Sequence, residues 1–260
     1  MRTIILRSNA IATQVTHSHS APAQRAERPQ LTVAQLWRYP VKSLAGEQIS
    51  EADFTREGIP GDRIVHVRGP EGVRTSRRQH RLLGLHGTLG ADGTALIDGL
   101  RWDAPAALAA VRAAAGADAE LVEYQGLGRF DILPLLVATD GAIAAFGRDV
   151  RRLRPNIVIG GVEGLAERSW EGSHLRIGAV VIRLDSLRGR CPMTTVDPDT
   201  LEVDPGVLKD IGRRFGGRLA LNAEVLVPGL VRVGDAVTLI PAGKAGATAA
   251  ARAVAGGRQP

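Results

Sequence analysis

The chain has 260 residues, 44% of them hydrophobic, and its 33 Lys and Arg against 27 Asp and Glu give a formal charge of +6 and a sequence pI near 10.3. Such a length holds one large or two small domains with an ample core, and 3% aromatic content argues against a stacking platform for single-stranded nucleic acid. The arginines are spread along the chain and not gathered in a stripe, so the charge suits an anionic ligand and nucleic acid is not indicated.

Residues 1–30 carry little periodic apolar pattern and are expected to be a disordered leader, because their burial could not offset the entropy of ordering them. His17 and His19 lie there, without the fixed geometry of a metal site. The apolar start, Met1 to Leu6, is too short for a signal peptide; the chain is expected in the cytoplasm with a loose leader, the alternative being a transit peptide, since this start carries Ser and Arg and is poor in acids. No stretch approaches the roughly 18 apolar residues of a membrane span.

Leu31 to Pro40 alternates apolar and polar residues as a half-buried strand does. Pro40 ends the ladder, which places Lys42 and Ser43 on a turn where an ammonium and a hydroxyl can meet an anion. Ile49 to Phe54 reads as a further strand. The glycine-proline turn Gly58 to Asp62 then delivers Arg63, whose planar fork suits phosphate, into the apolar strand Ile64 to Val67. Gly69 to Gly72 predicts a hairpin, and 82–100 holds short β-like runs between glycine turns. Ala104 to Ala115 predicts a helix with Pro105 in its first turn and a stop near Gly116. After a strand at Leu121 to Tyr124, the glycine-rich Gly126 to Arg129 lacks the lysine of a phosphate loop and marks a boundary. The expected domains are 31–125 and 126–241.

The second domain opens with an acidic turn and a buried strand over Phe130 to Ala138. Thr139 or Asp140 caps the helix that follows, and its free amides make Thr139 a candidate for anion binding. Pro155 steers Arg154 away from helical conformation, so Arg154 and Asn156 sit at the mouth of the buried strand Ile157 to Ile159. Leu175 to Leu184 reads as one strand leading to the only cysteine, Cys191. That count excludes an internal disulfide and a four-cysteine iron–sulfur cluster. Arg188 and Arg190 flank Cys191, guanidinium charge favours a thiolate, and Pro192 with Asp197-Pro198 puts the thiol on a loop. From these residues alone Cys191 is either a small buried hydrophobe or a ligand or nucleophile. A helix over Val207 to Phe215 ends at Gly216-Gly217, strands at Leu219 to Val227 and Val231 to Ile240 close the sheet, and 242–260 is expected to be a disordered tail. Many short strands and few helices make the fold class mainly β, an α+β chain with a β-barrel-like second domain packed on a β-rich first one.

Several separated motifs, in order, resemble a known family. Tyr39-Pro40-Val41-Lys42-Ser43, Gly61-Asp62-Arg63, Thr75-Ser76-Arg77-Arg78-Gln79, Arg154-Pro155-Asn156-Ile157-Val158 and Arg190-Cys191 followed by Thr194 to Thr200 are similar to elements of MOSC domain proteins, in the subgroup of the mitochondrial amidoxime-reducing component. The resemblance covers roughly residues 31–241. It implies an N-terminal β-barrel domain before the MOSC domain, and a molybdenum–molybdopterin cofactor between them. Cys191 would be the metal ligand and the catalytic residue. Lys42, Ser43, Arg63, Thr139, Arg154, Asn156 and Arg190 would be the cofactor-binding candidates. Thr75 to Gln79 resembles the family's return strand, whose arginines either line the same site or face water. The implied activity is reduction of small N-hydroxylated or N-oxide substrates with oxygen transfer to molybdenum. Electrons would come from a separate ferredoxin- or flavin-type donor, and pyridoxal phosphate is not expected. The alternative is a carrier in which Cys191 holds persulfide sulfur or intact cofactor.

Overall fold

The computed structural model describes residues 30–243. The expected leader and tail, with His17 and His19, lie outside these residues apart from their innermost positions. In chain order the elements are β1 (Thr32–Arg38), β2 (Glu47–Ile49), β3 (Glu51–Phe54), β4 (Val65–Gly69), β5 (Gly72–Val73), β6 (Gly87–Leu89), β7 (Ala95–Ile97), β8 (Leu100–Arg101), α1 (Pro105–Ala115) and β9 (Glu120–Glu123). There follow β10 (Leu135–Thr139), α2 (Asp140–Phe146), β11 (Ile157–Gly160), β12 (His174–Ile177), β13 (Val180–Gly189), α3 (Pro205–Phe215), β14 (Arg218–Val227), β15 (Gly229–Arg232) and β16 (Val237–Ile240). The chain is mainly β with three short α-helices among the described residues, as its patterning requires. No helix there is long and apolar enough to cross a membrane.

One eight-stranded sheet runs in the order β16-β12-β13-β14-β10-β11-β1-β2, antiparallel except for the β10–β11 pair. The ladder is open, but it curls back on itself: Val33 N–H donates to Asp235 O at 2.9 Å and Val237 N–H to Leu31 O at 2.8 Å, tying the start of β1 to the start of β16. Inward-facing Val33, Leu36, Val137, Ile157, Ile159, Leu175, Ile182, Leu221 and Val225 fill the space it encloses. β1 and β2 precede the 125/126 boundary in sequence and yet belong to this sheet. The rest of the first half forms two small sheets, β5-β4-β9 and β6-β7-β8, packed on Ala107, Val111 and Ala115 of α1, residues four apart that share one helical face. Val207, Ile211 and Phe215 of α3 repeat that spacing against Phe146 of α2.

Four local expectations are corrected. Thr75–Gln79 is a turn closed by Arg78 and Gln79 N–H bonds to Thr75 O, and not a strand. The strand expected from Phe130 starts only at Leu135. Leu175–Leu184 is a hairpin, β12 and β13, with Ile177 paired to Val180 across Gly178-Ala179. Gly178 takes φ 55°, a left-handed conformation that costs glycine least. Val231–Ile240 is likewise two strands, and the first of them leaves the large sheet to pair with β3.

Candidate functional site

Three chain segments meet where β1 ends. Tyr39 N–H donates to Asp62 Oδ1 at 2.7 Å, Arg63 N–H donates to Tyr39 O at 2.8 Å, and the Tyr39 hydroxyl donates to Pro155 O at 3.0 Å. Asp62 is fully buried and also accepts from the Arg63 guanidinium and, at 3.3 Å, from Asn156 Nδ2. The Lys42-Ser43 turn is laid along β4 by a Lys42 N–H to Val65 O bond of 2.8 Å. Six non-glycine residues among those described have positive φ, and Ser43 (76°), Arg63 (56°) and Arg154 (55°) are three of them. Left-handed backbone is costly for such residues and persists only where surrounding contacts impose it. Here the Tyr39–Asp62–Pro155 bonds supply those contacts.

These segments form one wall of a cleft of about 760 Å³, counting its open mouth, and the Arg188–Met193 loop forms the other. Lys42, Ser43, Arg63, Arg154, Asn156, Arg190 and Cys191 all line it. Arg77, Arg152 and Arg188 bring the cationic lining to seven side chains, against one carboxylate, Asp131. Asp131 is the hub of the floor: it pairs with Lys42 Nζ at 2.8 Å, Arg77 at 2.8 Å and Arg188 at 3.2 Å. Burial pushes its carboxyl up, but Lys42, Arg77 and Arg188 outweigh burial and hold it below the usual carboxylate range. Lys42 Nζ also donates to Arg129 O at 2.9 Å.

Cys191 is half-buried at the end of β13, where the chain turns into a short 3-10 helix and the Thr194 N–H and hydroxyl bond to its carbonyl at 3.0 and 2.9 Å. Arg190 donates its backbone N–H to Gly217 O at 2.9 Å and one guanidinium nitrogen to Leu153 O at 2.8 Å, but its buried Nε finds no partner. Burial pulls the Arg190 pKa down to about 10, opposed by the Cys191 side chain beside it. Arg154 is likewise lowered to about 10 by burial. It is 9% exposed, donates to Leu44 O at 2.6 Å, lies 4.2 Å from the Tyr39 ring centroid and makes no ion pair among the described residues. Arg154, buried, and Arg190, part-buried, have no carboxylate partner among the described residues, and such cations favour an anion.

Thr139 is not part of this cleft. Its hydroxyl accepts from Ala142 N–H at 3.1 Å as the cap of α2 and donates to the buried Glu167 at 3.3 Å. Of the arginine pair left open by the sequence, Arg77 lines the cleft and Arg78 lines a neighbouring surface groove. Asp131, in the acidic turn one residue after the Arg129-Phe130 step, and Arg152, two residues before Arg154, carry no sequence signal beyond that position.

Comparison with known proteins follows this division of the cleft. A family model described as the MOSC N-terminal beta barrel domain matches residues 30–129, and one described as the MOSC domain matches residues 141–238. The chain belongs to the MOSC family. Lys42, Ser43 and Arg63 fall within the N-terminal match, Arg154, Asn156, Arg190 and Cys191 within the MOSC match, and Asp131 on the link between them. The human mitochondrial amidoxime-reducing component 1 is 27% identical, over 80% of this chain and 83% of its own length. The mouse protein of the same name is 28% identical, over 87% of each. Among solved structures, the YUAD protein from Bacillus subtilis is similar over 81% of this chain and 95% of its own, at 14% identity and a TM-score of 0.45, a likeness too loose to argue from.

The donor set around Cys191 fits a cofactor that brings its own metal ligands. Among the described residues no three His, Cys, Asp or Glu side chains cluster to hold a bare ion. A single thiolate suits a soft, sulfur-ligated redox metal, and the unpartnered Arg190 Nε and the acid-free Arg154 suit an anionic phosphate or pterin.

Proposed function

We propose that this MOSC protein is a molybdenum-cofactor-dependent reductase of N-oxygenated compounds acting in the cytoplasm, with Cys191 as the protein ligand to the metal. One observation carries the reading: seven cations from separate segments of both matched domains converge on the chain's only thiol. The names of the human and mouse relatives support the substrate class. Lys42, Ser43, Arg63, Arg154, Asn156 and Arg190 would hold the pterin and phosphate. When bound, the group supplies two-electron cleavage of an N–O bond.

The chain's own residues do the rest. Asp131 holds Lys42, Arg77 and Arg188 at fixed positions on the floor, so that the positive field is organised before the ligand arrives. Cys191 offers its sulfur from a loop pinned at both sides by backbone bonds. With one cysteine in the chain, electrons come from a separate ferredoxin- or flavin-type donor.

The test is molybdenum content after expression in a host that makes the cofactor, together with reduction of an amidoxime by an artificial donor. Near-stoichiometric metal in wild type, lost in Cys191→Ser while the fold is kept, supports the reading. Metal-free protein with a persulfide on Cys191 would replace it with sulfur carriage, and turnover with NADH alone would remove the separate donor.

A further inference from the structure

Behind the cleft lies a second cavity, of about 820 Å³ with its mouth, and the two share a wall made by Met193, Arg152 and Arg154. Its other sides are mostly apolar, Trp37 from β1, Leu83, Val196 and Pro198, with His86 and Arg151 at its edge. Gly46 completes the floor, where any side chain would strike the Tyr39 ring. Among the described residues no acid lines it. Arg152 is already paired with Asp197 at 2.7 Å and Arg151 with Asp199 at 2.8 Å, both from outside the lining. Among the described residues Arg154 meets the Leu44 carbonyl and the Tyr39 ring, and pairs with no acid.

We propose that this cavity is a binding site for a flat aromatic carboxylate. Its ring lies between Trp37, Leu83 and Val196, and its carboxylate takes the guanidinium edge of Arg154 that no acid occupies. The cavity and its lining are separate from the cleft, whereas the free charge of Arg154 is shared with the cofactor reading. Apolar walls enclosing a few polar groups are the usual form of a small-molecule pocket, and a nearly buried cation without a counter-charge selects an anionic head. Because Arg154 borders both cavities, occupancy here is coupled to the anion held in the cleft.

The experiment titrates 2-naphthoate, with neutral 2-naphthamide as control, into the full chain by calorimetry and by tryptophan fluorescence. Expected are saturable naphthoate binding and affinity for the amide lower by about tenfold or more, the scale of a lost charge-assisted bond. The fluorescence change should disappear in Trp37→Phe. Leu83→Trp, or Ala45→Leu should the first melt early, fills the cavity and weakens binding about tenfold, whereas the cleft variant Lys42→Ala/Arg188→Ala changes it by less than about twofold. Three results overturn the proposal: no saturable binding, binding unchanged by both filling variants, or binding abolished by the cleft variant. Molybdenum content of the wild-type protein decides the cofactor reading separately.

Discussion

Asp62→Asn is the most informative single change in the molecule. The Asp62 carboxylate is fully buried and accepts from Tyr39 N–H, Asn156 Nδ2 and the Arg63 guanidinium, so it joins the end of β1, the turn before β4 and the mouth of β11. The asparagine keeps an acceptor for Tyr39 N–H and removes the charge opposite Arg63. Removing one partner of a fully buried ion pair costs about 3–5 kcal/mol. The Arg63 side chain is 17% exposed and lies 5.2 Å from the Tyr39 ring centroid, so it retains some water and a second partner, which reduces the expected loss to about 2–3 kcal/mol. Asp62→Ala should lose about 1–3 kcal/mol more, because Tyr39 N–H is then left without an acceptor. Urea unfolding of the full chain, followed by tryptophan fluorescence and far-ultraviolet circular dichroism, reads both values where the two probes coincide. The double variant Asp62→Asn/Arg63→Gln should be less destabilised than the sum of its singles, since neither charge remains. A loss below about 0.5 kcal/mol in Asp62→Asn, or strict additivity in the cycle, would refute the claim that this carboxylate ties the two halves of the site together.

Three further outcomes are expected. His66 is 2% exposed, stacks on Tyr124 at 4.7 Å with both ring nitrogens unpartnered, and burial, reinforced by Lys42, pushes its pKa down to about 4. The unfolded chain binds the proton more readily, near pH 6.5, so stability falls as pH drops from about 6.5 to 4, by up to ~3 kcal/mol. His66→Phe should match wild type near pH 7 and lose that acid sensitivity, and parallel urea midpoints for the two proteins across this range would disprove it. For Asp131, depressed by Lys42, Arg77 and Arg188 against the effect of burial, the contribution is present above the unfolded value of about 3.9 and lost as pH falls through the lower folded value. Asp131→Asn should therefore be slightly less stable than wild type at neutral pH, and the gap should begin to close only as pH falls below about 4 and vanish below the depressed folded value in thermal melts. Gly46→Ala places a methyl group against the Tyr39 ring and Arg38 O, and overpacking there should cost about 1–3 kcal/mol by urea titration; a neutral result would mean that Tyr39 is free to move.

How much of this was legible in the sequence depended on the range over which each signal acts. The helices were written locally: Pro105 and Gly116 bracket α1, Thr139 caps α2, and Val207, Ile211 and Phe215 recur at helical spacing, so each end and face follows from neighbours in the chain. The β12–β13 hairpin was hidden because Gly178-Ala179 interrupts the apolar run without a polar residue, and only pairing in space shows where the strand reverses. Thr139 shows the same limit from the other side, since a capping hydroxyl and an anion-binding one have the same local sequence and only the distance to the cleft separates them.

The cleft itself joins residues more than a hundred positions apart, as in the 2.6 Å bond from Arg154 to Leu44 O, and no periodicity encodes such a meeting. What did carry information was motif content: Lys42-Ser43, Gly61-Asp62-Arg63 and Arg154-Pro155-Asn156 each mark a point where a strand meets a turn and a polar side chain is left over. The same points hold three left-handed non-glycine residues, Ser43, Arg63 and Arg154. Glycine would adopt that conformation at least cost. At these three positions, though not at Asp98, Leu201 and Ala220, the left-handed backbone carries a polar side chain that lines the cleft, so half of the non-glycine backbone that breaks local conformational preference lies at the site.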